Sequence, residues 1–286
     1  MGLFGLAACA AVKDINEEKT FITEEINNIQ INLNTETLRI LRTEESNEAK
    51  LHLYGKATKE IKLASELNDK TMTVSLKQAK GGLNVFLDVY IPKNYDENIS
   101  AKLSSGAIKV HSVDLAKFAV NTSSGKTEVE NLNAGKININ TFTGEVIIKK
   151  VSAREVEIKG KSSAIYFEEC VVNNAKAHNS SGKITLTNNS GNFDLKGKSG
   201  KVMASYNDFE NQNLNVQTDT GGIIMELPGT AEFFISAKTN TGKIKSDFSI
   251  NPGGYMDKKM IEGQIGDENN KVSLKSWSGS IKIIKK

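Results

Sequence analysis

Acid–base chemistry needs titratable groups held close together, and this chain offers few candidates. Its three histidines, His52, His111 and His178, lie in separate segments, so neither a triad nor a metal site is expected from them. The carboxylate pairs Glu128/Glu130, Glu155/Glu157 and Glu168/Glu169 fall in successive stretches of similar sequence and could line one face. Such pairs cleave acidic polysaccharides when one carboxyl is kept protonated by desolvation against its partner. Here Lys149, Lys150, Arg154, Lys159 and Lys161 interleave them, the pattern of a solvated mixed-charge face. No catalytic residue, metal ligand or cofactor is expected. A carbohydrate-active β-helix enzyme acting on acidic polysaccharide is the alternative reading.

Binding chemistry has a different candidate. Lys126, Lys183, Lys201 and Lys243 each directly follow a glycine in a recurring phrase, with Glu145, Ala164 and Gly222 interrupting the series. In register they would form a discontinuous basic edge able to meet anionic wall polymers or lipid headgroups. Lysines at strand edges also guard against edge-to-edge pairing and aid solubility. The net charge of +3 with 25% charged residues is balanced, and neither an RNA-binding fingerprint nor interleaved basic and aromatic residues occur, so nucleic acid is not an expected partner.

The elements that must position these residues are announced by a repeat. Ser104-Ser105-Gly106-Ala107-Ile108-Lys109-Val110 returns as Ser123-Ser124-Gly125-Lys126-Thr127-Glu128-Val129 and as Ser180-Ser181-Gly182-Lys183-Ile184-Thr185-Leu186. The period from Gly106 through Gly125, Gly144, Ser163 and Gly182 is 19 residues, and it drifts at Gly200, Gly221, Gly242 and Gly279. Two residues after each anchor the position is apolar, Thr127 excepted; the positions seven and five before it are apolar as well. Alternation by two is the strand period. A unit this short cannot bury its apolar face alone and must stack on its own copies. The expected fold is all-β: a parallel β-solenoid of about 19-residue coils, with two strands of four or five residues per coil. Nine anchors at the inter-strand spacing give a rod on the order of 40 Å. Glycine is expected at the corner for a positive φ, with the serine hydroxyls satisfying turn backbone groups.

Three regions follow from the pattern. Residues 1–19 read as a signal or anchor remnant and linker, 20–97 as an irregular N-terminal β region capping the solenoid, and 98–286 as the repeat, with an inserted loop at 251–270. The N-terminal region carries period-two segments of irregular spacing, suited to wider coils or an antiparallel cap, with a hairpin or corner expected at Gly81-Gly82. Trp277 near the last anchor reads as part of the C-terminal cap. Cys170 occupies a position filled elsewhere by Val113, Leu132 and Val151, so it reads as a buried apolar residue, and a single remaining cysteine makes no disulfide framework.

The apolar start through Val12 is too short to span a bilayer and resembles the end of a signal-peptide core. Leu6-Ala7-Ala8-Cys9 resembles a bacterial lipobox, which makes Cys9 the lipidation candidate, although no basic region precedes it and only eight residues do. With this start, a β-rich N-terminal segment and Ser-Ser-Gly-Lys-Ile coils, the sequence from Ile29 onward resembles the bacterial putative-adhesin family of unknown function, β-strand-repeat proteins of Gram-positive envelopes. That resemblance implies a surface-exposed, non-enzymatic β-solenoid, extracytoplasmic and anchored through its N-terminus. The basic edge and the expected location together point to an anionic cell-wall polymer, a membrane surface or another envelope protein as partner.

Overall fold

The computed structural model describes residues 11–44, 47–77, 82–266 and 270–286; Cys9, Gly81 and residues 267–269 of the expected loop lie outside them. Every described element is a strand, and the strands form two sheets. One repeat shows how a coil is built. Asp114–Thr122 runs in the first sheet, the chain turns at Gly125, Thr127–Glu130 runs in the second sheet, and a turn at Asn131 returns it to Asn133–Thr141 in the first. Within the repeat the first-sheet strands, such as Ser152–Ser162, are longer than the sequence suggested, while the second-sheet strands from Ile108–His111 to Val202–Ser205 have four residues, within the expected four or five.

Register is set by the repeat itself. Ile137 pairs with Phe118 on one side and Val156 on the other, and Val146 lies between Thr127 and Ile165. Equivalent residues thus meet across parallel ladders, and every inward side chain forms the floor for the next coil. Phe118, Ile137, Ile139, Val146 and Ile158 are fully buried. Each such aliphatic or aromatic side chain contributes about 1.5–3 kcal/mol by leaving water. Thr127, the exception in the apolar pattern, is equally buried and its hydroxyl finds no partner.

The corners align in a column, but glycine is there for a different reason than the turn chemistry suggested. Among the corner glycines only Gly182 has a left-handed φ. At Gly125 and Gly144 an added β-carbon would stand 1.8 and 2.0 Å from the carbonyl oxygen of Gly106 and Gly125, respectively. The corners are simply too close for a side chain. The left-handed conformation belongs to the opposite turn, where Ser112, Asn131, Lys150, Glu169 and Asn188 all have φ near +50°. Hydroxyls directly before the glycine do reach the neighbouring corner, Ser199 Oγ donating to the Ser180 carbonyl and Ser278 Oγ to that of Asp219, both at 3.4 Å, but the glycine amides are closed by a different residue. The amide of Gly125 donates to Thr122 Oγ1, Gly144 to Thr141 Oγ1, Gly242 to Thr239 Oγ1 and Gly279 to Ser276 Oγ, at 2.8–3.2 Å. A buried hydroxyl three residues before the glycine closes each of these corners and leaves no orphaned donor.

Stacking order departs from chain order at both ends. At the N-terminal end, Asn28–Asn32 and Thr37–Thr43 pair directly with Asn98–Leu103 and Ile108–His111, while the later segments Thr71–Lys77 and Gly82–Pro92 pair on their outer side. At the other end, Lys271–Ser276 and Ile281–Lys285 lie between the coil of Asn213–Thr218 and Ile223–Leu227 and the coil of Phe233–Thr239 and Ile244–Ser246. The final coil is therefore interior to the stack, and Trp277 is not in the terminal cap. Antiparallel strands cover the outermost coils: Glu48–Ala57 on Gly82–Pro92, with Lys13–Ile22 beyond it; Lys62–Asn68 on Thr71–Lys77; and Met260–Ile265 on Phe233–Thr239. This last strand, with Tyr255–Met256 beside it, falls in the stretch expected to be a loop.

Two polar pins fasten the ends of the stack. At the N-terminal end Arg39 holds the buried Asp88 through Nε and Nη2, both at 2.6 Å, and also donates to the Tyr54 hydroxyl. At the other, buried Asn270 donates to the carbonyls of Phe209 and Glu232 and accepts from the Gln212 amide, tying the returning chain to two coils at once.

Candidate functional site

The sheets scatter the expected acids. Glu128, Glu130 and Glu168 stand on strands of the second sheet, Glu155 and Glu157 on the first, and Glu169 occupies a left-handed turn. They do not share a face. Glu155 accepts from Lys136 at 2.8 Å and Glu157 pairs with Lys159 at 2.7 Å. In each case the ammonium group holds the carboxyl below the usual carboxylate range, the opposite of what a general acid requires. The histidines are equally dispersed: His52 contacts Asn16, His111 lies 3.6 Å from Glu130, and His178 is on the first sheet. No cluster of metal-ligating side chains occurs among the described residues.

The four lysines after the glycines head strands of the second sheet. Lys126 lies 3.5 Å from Glu145 and 3.6 Å from Glu128, and the Lys183 ammonium sits 4.7 Å over the Tyr166 ring. Lys183 and Lys201 are on adjacent coils. Lys243 is set further off than the sequence implied, because the final coil puts Ser280 as well as Gly222 between it and Lys201. The four do not form one continuous edge.

A more coherent basic strip runs along the other side of the same corner. Four residues before each anchor the outward column reads, in spatial order, Lys102, Asn121, Asn140, Lys159, His178, Lys196, Gln217, Lys275 and Lys238, each paired with the next. All nine are exposed and none is a carboxylate. Two residues further along, at the corner itself, the neighbouring column reads Ser104, Ser123, Phe142, Lys161, Ser180, Lys198, Asp219, Trp277 and Asn240. Backbone hydrogen bonds such as Ser162 to Phe142, Ser278 to Asp219 and Thr241 to Trp277 hold it in line. Of the carboxylates nearby, Glu157 engages Lys159 and Asp194 lies 3.8 Å from Lys196. No ion pair forms at Lys102, Lys198, Lys238 or Lys275 among the described residues.

Two aromatic side chains stand out on this strip. Phe142 is 53% exposed and Trp277 65%, and both occupy the same corner column. The Lys161 ammonium lies 4.4 Å above the Phe142 ring. Three shallow depressions of about 440, 360 and 360 Å³ follow one another along the strip. The first holds Phe142 with Lys102, Lys159 and Lys161, the second His178, Lys196 and Lys198, and the third Trp277 with Lys238 and Lys275. The first two share Gly160; the second and third share Gln217 and Asp219. A larger depression of about 500 Å³ lies nearby on the first sheet. There Asn213 donates to Asn192 and Asn215 to Asp194, at 2.7 and 2.8 Å, so much of its amide capacity is spent within the protein. The strip was legible as an offset of −4 from the glycine. Attention to the residue just after the glycine missed it.

Among the described residues no helix is long and apolar enough to cross a membrane. Comparison with known proteins supports the fold. A protein from Parabacteroides distasonis named a "putative adhesin" is 12% identical over 94% of this chain and 97% of its own, with a TM-score of 0.54. A "putative adhesin" from Bacteroides fragilis is 15% identical over 95% of this chain and 97% of its own, with a TM-score of 0.47. A "putative cell adhesion protein" from Clostridium sporogenes is 13% identical over 96% and 100%, with a TM-score of 0.31. The likeness to the Parabacteroides protein is one of fold. No curated protein matches the chain. The sequence profile of one family matches residues 26–284, and the chain belongs to that family, Toastrack DUF4097.

Proposed function

We propose that the chain is a non-catalytic binding protein of the bacterial cell surface, which engages its partner along the side of the solenoid. The observation that carries this reading is the carboxylate-free column of exposed lysines, asparagines and histidine running beside the glycine corner. A ladder of this kind offers repeated donors at the inter-strand spacing of about 4.8 Å, which suits an extended partner better than a compact one. The named adhesins among structures of similar fold agree with a surface location, and lipidation at Cys9 would supply the anchor. The alternative, hydrolysis or elimination on an acidic polysaccharide, is disfavoured by the lysine-paired state of Glu155 and Glu157.

The test is to incubate the purified protein with a panel of soluble polysaccharides and measure retention and chain cleavage together. Retention with no new reducing or unsaturated ends is the expected result; cleavage abolished by Glu155→Ala with Glu157→Ala would establish the enzyme instead. Location is tested separately. Protease applied to intact cells should degrade the protein, and Cys9→Ser should release it from the membrane fraction.

A further inference from the structure

We propose that the strip beside the glycine corner binds a linear anionic glycan, with Phe142 and Trp277 as platforms for its sugar rings; this ligand class rests on the reading of the chain as a binding protein. Four observations converge on it. The first is the exposure of two large aromatic side chains in one column whose other members are serine, lysine, aspartate and asparagine. An exposed aromatic ring stacks on the C–H face of a pyranose, which removes apolar area from water and sets weakly positive hydrogens against the negative face of the ring.

The second is spacing. Between Phe142 and Trp277 the corner column passes Lys161, Ser180, Lys198 and Asp219, five inter-strand steps or about 24 Å. That length fits several linked rings lying along the groove. The third is donor chemistry. Lys102, Lys159, Lys161, Lys196, Lys198, Lys238 and Lys275 present ammonium groups, Gln217 and Asn240 present amides, Asn140 donates to Asn121 at 3.0 Å within the protein, and Asp219 is the single carboxylate among the lining residues of the three depressions. Acidic groups repeated along a glycan would find a cation at most rungs, and its hydroxyls would find the amides. Lys161 over the Phe142 ring joins both functions in one place. The fourth is shape. The aromatics and lysines line shallow depressions that each cross three or four successive coils and follow one another along the strip, the shape that receives a chain laid across the coils. A bilayer surface would instead favour these groups on a convex crest.

Binding should be measured by calorimetry and by retardation in gels containing polygalacturonate, at several salt concentrations. Dextran serves as neutral control, and phosphatidylglycerol vesicles and oligothymidylate serve as anionic probes of other classes. Polygalacturonate should bind, more weakly as salt rises, and dextran should not. Trp277→Ala should weaken binding about tenfold, and Lys196→Gln combined with Lys198→Gln and Lys275→Gln by more, with unchanged melting temperatures because all four side chains are exposed. Tighter binding of vesicles or oligothymidylate than of polygalacturonate overturns the proposal, as does binding to none of the probes. Polygalacturonate binding that survives these variants but is lost when Lys126, Lys183, Lys201 and Lys243 are changed to Ser overturns this groove while leaving the binding-protein reading standing. Cleavage of the polymer by the wild-type protein would instead defeat that reading.

Discussion

A β-carbon on Gly279 would stand 2.0 Å from the carbonyl oxygen of Gly221, two residues that touch because the final coil enters between coils made before it. The same contact recurs from corner to corner, so the glycine column sets how closely the coils approach. Gly279→Ala should lower the unfolding free energy by about 3 kcal/mol, the upper end of what overpacking costs. Gly229→Ala, at a glycine with nothing within 4 Å, should change it by less than about 0.5 kcal/mol. Urea denaturation of the two variants checks the difference, and equal midpoints would refute the close-packing account of the corner.

Thr127 gives the opposite sign. It lies fully buried between Ile108 and Val146, and its hydroxyl is unpaired. Thr127→Val keeps the shape and removes the stranded polar atom, so stability should rise by about 1 kcal/mol. A calorimetric melting temperature above that of the parent is the expected result; a lower one would mean that the hydroxyl is satisfied in solution.

Arg39 and Asp88 form an ion pair with a deeply buried carboxylate, its side chain only 4% exposed. Arg39→Ala leaves that carboxylate without its two charge-assisted hydrogen bonds and should cost about 2–3 kcal/mol. The double variant Arg39→Leu with Asp88→Leu removes both charges and should recover part of that loss. A double-mutant cycle on denaturation midpoints reads the coupling, and additive effects would contradict the geometry.

Alkali should weaken the fold from about pH 9 upward. Burial pushes the Cys170 thiol up to about 11 and raises the Tyr206 and Tyr95 hydroxyls in the same direction. A raised value means that the folded form holds its proton more tightly than the unfolded chain. The stability that this contributes is complete below the ordinary thiol value and is lost as pH climbs toward 11. Cys170 alone accounts for a loss on the order of 2 kcal/mol. Denaturation midpoints taken between pH 8 and 11 should fall, and fall less steeply in Cys170→Ala. In Cys9→Ser protein a thiol-specific reagent at pH 8 should react only after unfolding, since Cys170 is fully buried.

The solenoid was legible because one residue type at one offset does one job in every coil: Ile137, Val156 and Phe118 are spaced by the period and meet in space. What escaped was everything that depends on which coil lies beside which. The insertion of Lys271–Ser276 leaves no trace in the spacing of Gly221 and Gly242, because strand pairing is decided by long-range packing and not by local pattern. The corner was found for the wrong reason, since a glycine required by a neighbouring carbonyl and a glycine required by φ look identical in a sequence. The acids were rightly read as a mixed-charge face, but the sequence could not show that Glu128 and Glu157, about a coil and a half apart in the chain, are carried by opposite sheets. The basic strip at Lys196 and Lys275 was available at a fixed distance before the glycine, but only the stacking joins Lys275 to Gln217 and turns those residues into neighbours.

The out-of-order ends bear on how the molecule is made. While the chain is still emerging from the ribosome, the segment through Ser246 has no correct surface to rest on, because the layer that belongs beneath it, Lys271–Ser276 and Ile281–Lys285, is translated after it. A nascent or prematurely terminated product therefore carries an open apolar seam at the coil ending in Leu227, and only emergence of the strands through Lys285 lets the seam close. Such an arrangement leaves incomplete copies conspicuous to cellular quality control.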